Sequence, residues 1–189
     1  MLELCAAAVL LTLALSWNAW RSLGLWHALQ WSGRYSLLGL LASAPLLLMI
    51  PLLEISWTSS LPILRHLQRD LRVSVLPLVR HLILSEVVVV ACLAGLSEEI
   101  FFRGVLQAEI GIGLASLAFG LFHALSVAYV LWATVVGVYF GWLTQWSGNL
   151  WLAIVAHSVV DFVGLWYLRY IVAPRTPRGG RQDADREGL

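Results

Sequence analysis

The stretch GLSEEIFFRGVLQ, residues 95–107, places two adjacent glutamates, Glu98 and Glu99, and then Arg103 inside a run otherwise apolar enough to be a membrane helix. An ionisable side chain in hydrocarbon costs roughly 2.5–3.5 kcal/mol on insertion scales, so a chain that keeps three of them there must give them partners or a task. The rest of the chain says which solvent applies. Of its 189 residues 60% are hydrophobic and 12% charged, and the mean hydropathy is +0.82, far from the mix of a soluble domain. The sequence therefore reads as an all-α polytopic membrane protein, a bundle of about six transmembrane helices plus one amphipathic interfacial helix.

Apolar runs separated by polar punctuation put the candidate spans at 2–19, 35–53, 83–108, 113–126, 128–146 and 150–171. The fourth is too short to cross comfortably and is expected to be partly re-entrant. The 54–82 connection carries Arg65, Arg69, Arg72 and Arg80 among Leu and Val at near-helical spacing, as a helix lying on the membrane surface would. Three regions follow: two spans and an amphipathic connector over 1–82, a helical core over 83–172 that holds the polar residues, and a disordered cytoplasmic tail over 173–189, rich in Pro, Gly and Arg. The N-terminal run has no basic leader, carries Glu3 and ends in Trp17 and Trp20, so it reads as a retained first span.

Arginines concentrate in the connector and the tail and are missing from 109–112 and 147–149, which places the connector and both termini in the cytoplasm. The net charge of +1 and the scattered arginines give no face for nucleic acid. Cys5 and Cys92 both sit in apolar segments and suggest neither a disulfide framework nor a metal knot.

The other intramembrane polar residues are His123, on the fourth span, and His157 and Asp161, on the last. Glu99 and Arg103 are four apart, a spacing at which acid and base pair on one helix face, and His157 and Asp161 repeat it. Glu98 points about 100° away from Glu99, so one helix can give one carboxylate to an ion pair and the other to a cavity. Gly120, just before His123, would let a neighbouring helix come close. Convergence of the three segments on one buried site is the economical reading. A carboxylate and an imidazole sharing a water can remove its proton as it attacks a carbonyl, and a second histidine with a polar neighbour can stabilise the oxyanion. The chain lacks His-Glu-x-x-His, Gly-x-Ser-Gly and Gly-x-Gly-Asp motifs and contains no lysine, which removes zinc, serine, aspartyl and Ser-Lys routes as well as a phosphate loop.

EEIFFR (Glu98, Glu99, Arg103), FGLFH (ending in His123) and HSVVD (His157 to Asp161) resemble, in order and spacing, the three motifs of the CPBP intramembrane proteases. That family includes the CAAX-processing Ras-converting endopeptidases and the bacterial Abi or bacteriocin-immunity proteins. The resemblance covers residues 83–168. It implies a glutamate-dependent endopeptidase acting on a membrane-tethered or lipidated protein tail, with Glu98 and His123 activating water, His157 and Asp161 on the oxyanion side, and Glu99 and Arg103 in support. It implies no cofactor; a divalent metal held by Glu98, His123 and His157 is the second reading. The third motif usually ends in Asn, and here Asp161 stands there, which weakens that residue's donor role.

The partners so implied are the lipid bilayer and a peptide or protein with a membrane-associated C-terminal segment, in a bacterial inner membrane. Counted from the nearer helix ends, Glu98 and His157 lie closer to the outer face, which favours a substrate from that side. Two other classes remain at this stage. One is a non-proteolytic immunity or regulatory partner using the same fold. The other is a proton-coupled transporter, which the missing internal repeat disfavours.

Overall fold

The computed structural model describes residues 2–51 and 62–175, and every regular element among them is helical. Helix α1 (Leu2–Arg21) is followed by the single turn α2 (Leu25–Ala28) and by α3 (Gly33–Leu47). The amphipathic segment consists of α4 (Pro62–Asp70), a π-helical turn over Leu71–Val75, and α5 (Leu76–Val79). Then come α6 (Leu84–Glu98), a π-helical stretch over Glu99–Leu106, α7 (Gln107–Phe122), α8 (Val127–Ser147) and α9 (Leu150–Tyr167), which runs on through Leu168–Val172 and Ala173–Arg175. Of the expected tail and connector, residues 176–189 and 54–61 lie outside the described residues.

Local chemistry sets the ends of these helices. The Glu86 carboxylate accepts the Ile83 N–H at 2.9 Å at the start of α6. Ser126 accepts from the Tyr129 N–H at the start of α8, and Asn149 from the Trp151 N–H at the start of α9. Gly148, at φ 64°, ends α8 in the left-handed conformation that glycine adopts without strain.

Five helices among the described residues are long and apolar enough to cross a membrane, and one of them runs from Leu84 to Phe122. That one is folded back on itself. Gly111, at φ 78° and ψ 167°, breaks the helix, and the ring of Phe119 lies 5.2 Å from that of Phe102, whereas a straight helix would hold them about 25 Å apart. The fourth expected span is thus the short returning arm 112–122, and the described residues form six arms of the bundle.

Hydrogen bonds identify the two ends of the bundle. At one end Asn149 donates to the Gln30 carbonyl, Tyr35 to that of Ser147, and Arg21 pairs with Glu109 at 2.8 Å. At the other, Arg169 donates to the Leu82 carbonyl, Asp70 accepts from Ser126, and Leu76 and Val79 pack with Leu168, Val172 and Ala173. The amphipathic segment lies across this second end. Leucine, valine and tryptophan side chains such as Leu13, Leu41, Val135 and Trp142 face outward, as in a chain whose solvent is lipid.

Candidate active site

Two close approaches bring the polar residues together. A Cβ at Gly95 would run into Ser158, so α6 and α9 meet at near-backbone contact one turn before Glu98 and beside His157. A Cβ at Gly120 would run into Thr134 and the Val130 carbonyl, so the returning arm is pressed on α8 just before His123. The helix also widens from α to π at Glu99, a rare geometry that is concentrated at functional sites.

Around this junction the structure brings together all six residues singled out in the sequence. Glu98 Oε2 lies 3.6 Å from His123 Nε2 and 4.0 Å from His157 Nε2. Glu99 Oε1 accepts from His157 Nδ1 at 2.8 Å, and its other oxygen lies 3.3 Å from Arg103 Nε. His157 Nε2 faces Asp161 Oδ2 at 3.4 Å. His123 donates Nδ1–H to the Phe119 carbonyl at 2.9 Å, so in the neutral ring its Nε2 lone pair faces Glu98.

The two glutamates therefore address opposite nitrogens of one imidazole. Glu99 is fully buried, and Arg103 beside it donates to the Gly137 carbonyl of α8 at 3.3 Å and lies 4.3 Å over the Phe119 ring. Glu98 Oε2 is buried and has no hydrogen-bond partner among the described residues. Its contacts with the two histidines are too long for direct hydrogen bonds, so the oxygen keeps acceptor capacity for a group seated beside all three side chains.

Residues 80–163, somewhat under half of the chain, match the family model for the type II CAAX prenyl endopeptidase Rce1-like proteins. This stretch is therefore similar to the Rce1-like endopeptidases over the residues that carry the polar site. The Bacillus subtilis (strain 168) protein YpbD, itself described as uncharacterized, is 32% identical over 90 residues, which cover 46% of this chain and 48% of that relative. The match thus spans about half the length of the curated relative. No solved structure matches.

Every site residue of the matched stretch lies between the start of α6 and the end of α9, but residues outside that stretch also face the site. A cavity of about 240 Å³ reaches from His123, His157 and Asp161 past Trp132 and Val136 to Leu46–Ile50 and to the amphipathic segment at Gln68, Arg72 and Val75. Part of its wall follows α9 and its continuation from Val160 through Leu168 to Val172. The cavity therefore runs toward the amphipathic end of the bundle. The sequence favoured entry from the face bearing 109–112 and 147–149, and the cavity extends the other way, because counting residues to the nearer helix end gives depth whereas helix packing decides where space is left.

Several site neighbours had no signal in the sequence. Phe140 stacks on His157 with ring centroids 4.8 Å apart, and Phe119 lies between Arg103 and both histidines. The two glycines flanking the Phe140 turn, Gly137 and Gly141, were the available hint of close packing there. Glu3 on α1 lies within electrostatic reach of His157 and Asp161, although in the sequence it bore only on the signal-peptide question. Among the described residues no three His, Cys, Asp or Glu side chains are arranged to hold an ion, which needs donors converging at about 2.0–2.2 Å on one point.

Proposed function

We propose that the protein is an intramembrane endopeptidase of the CAAX type that hydrolyses a peptide bond in a membrane-tethered tail with water activated by Glu98. The observation that carries this reading is the buried Glu98 oxygen, without a hydrogen-bond partner among the described residues, facing two imidazoles at 3.6 and 4.0 Å. Glu98 takes a proton as the water oxygen adds to the substrate carbonyl carbon, and His123 orients that water through its Nε2 lone pair. The carbonyl oxygen becomes an oxyanion. His157, as an imidazolium held through Nδ1 by Glu99, donates Nε2–H to it. When the C–N bond breaks, the proton held by Glu98 passes to the leaving amine, so the cycle balances without a covalent intermediate.

Asp161 orients His157 in this scheme and is not the oxyanion donor, and no step requires a metal. The arginines of the amphipathic segment put that end of the bundle at the cytoplasm, so the substrate enters the cavity from the cytoplasmic side. The test is cleavage of quenched fluorescent peptides, prenylated and apolar, by the full chain in nanodiscs with and without a chelator. Glu98→Gln should lower kcat by about 10²- to 10⁴-fold with a retained folded state, and chelator should change nothing. Wild-type rates in Glu98→Gln would remove Glu98 as the base, whereas no cleavage of any peptide by the unaltered chain would remove the peptidase reading and leave a binding role. Loss of wild-type cleavage on chelation, restored by a divalent ion, would overturn the metal-free route.

A further inference from the structure

The amphipathic segment presents Gln68, Leu71, Arg72 and Val75 to the cavity, an i, i+3, i+4, i+7 stripe along one face. Gln68 is the unexpected member. It is 4% exposed, and neither its Nε2 nor its Oε1 has a hydrogen-bond partner among the described residues. A primary amide left this way in an apolar wall is unfavourable unless something in the cavity completes it. Its position is also held. Asp70, two residues on, accepts from Ser126, which caps α8 three residues after His123.

An amide offers one acceptor and two donors, the complement of a main-chain peptide group, which offers one N–H and one C=O. An acyl chain has neither, and a phosphate has no N–H to give. We infer that Gln68 is a substrate-positioning residue whose side-chain amide pairs with a main-chain peptide group of an extended apolar segment lying in the cavity. The inference rests on the peptidase reading for its substrate class and deepens it. One paired peptide group sets the register of the segment, so it selects which bond reaches Glu98 while the apolar walls accept many side chains. Gln68 lies outside the stretch matched by the family model, on the segment that closes the cavity.

The experiment uses the full chain in nanodiscs and a dansyl-labelled apolar peptide, together with analogues in which one amide at a time is replaced by an ester. An ester removes the N–H that Gln68 Oε1 would accept. Binding is read by anisotropy in the Glu98→Gln background, and KM and kcat by cleavage in the Glu98-containing protein. Gln68→Met, of similar length and apolar, should weaken binding about 10-fold or more and raise KM more than it lowers kcat. One ester position should weaken binding to the Gln68 protein by a similar factor and have no further effect in Gln68→Met, a coupling that a merely structural role would not produce.

The ester series on the Gln68 protein stands even where Gln68→Met folds poorly. Equal affinity of both proteins for every peptide, or no ester position sensitive to Gln68, would overturn the inference. So would a failure of every peptide to bind. Gln68-dependent binding without any cleavage would support the pairing and remove the peptidase reading instead.

Discussion

Glu98 and Glu99 are neighbours in the chain and opposites in environment. Glu99 is fully buried, with one oxygen hydrogen-bonded to His157 and the other in a 3.3 Å ion pair with Arg103 that makes no hydrogen bond, whereas Glu98 Oε2, among the described residues, has no cationic arginine beside it and meets only His123 at 3.6 Å and His157 at 4.0 Å. An acid paired to an arginine and hydrogen-bonded to an imidazole positions those partners, and one that faces only imidazoles at longer range can take a proton. The same distinction decides Asp161, which meets His157 Nε2 at 3.4 Å with a side chain about one third exposed. Its carboxylate competes with a substrate oxyanion for the same N–H. Asp161→Asn supplies a neutral amide there, as in the family's usual third motif, and we expect kcat/KM to stay within about tenfold of wild type, while Asp161→Ala falls further because His157 loses its neighbour. A loss in Asp161→Asn as large as that in Glu98→Gln would show that the carboxylate itself takes part in proton transfer.

At the level of elements, Arg103 and Glu99 fasten three arms to one another: the π-helical stretch, α8 through the Gly137 carbonyl, and α9 through His157. Removing either partner strands a buried charge. Arg103→Met and Glu99→Gln should each cost about 3–5 kcal/mol, and the double variant clearly less than their sum, read as SDS-induced unfolding in mixed micelles. Additivity would mean that the two charges do not depend on each other. The hairpin has its own weak point at Gly111, whose φ of 78° and ψ of 167° belong to a region almost restricted to glycine. Gly111→Ala should destabilise by about 1–3 kcal/mol and shift His123 away from Glu98, so kcat should fall with stability. The four-residue spacings made the Glu99–Arg103 and His157–Asp161 faces legible in the sequence. The bond from Glu99 to His157 was not, because it depends on the register between α6 and α9 that Gly95 and Ser158 set, and helical periodicity carries no information about register between helices.

For the whole molecule, apolar runs gave the six arms to within a few residues, because hydrocarbon thickness fixes helix length independently of what each helix packs against. The direction of the cavity follows from a different cause. The returning arm 112–122 is too short to reach the amphipathic end, so His123 stops at the level of Glu98 and the space beyond it is left to α4, the π-helical turn after it, and the C-terminal half of α9. That geometry ties the open end of the site to the arginine-bearing end of the bundle, so the two must share a face of the membrane. Substituted cysteines read this directly. Cys5 and Cys92 are first replaced by Ala, and Val75→Cys and Trp132→Cys are then exposed to a membrane-impermeant maleimide in sealed vesicles of either orientation. We expect labelling of Val75→Cys in inside-out vesicles and not in right-side-out ones, with Trp132→Cys deeper in the same cavity labelled more slowly from the same side and protected by an apolar peptide. Labelling from the outer face alone would reverse the orientation of the whole bundle while leaving the internal geometry of the site as it is, and the substrate would then be an exported tail.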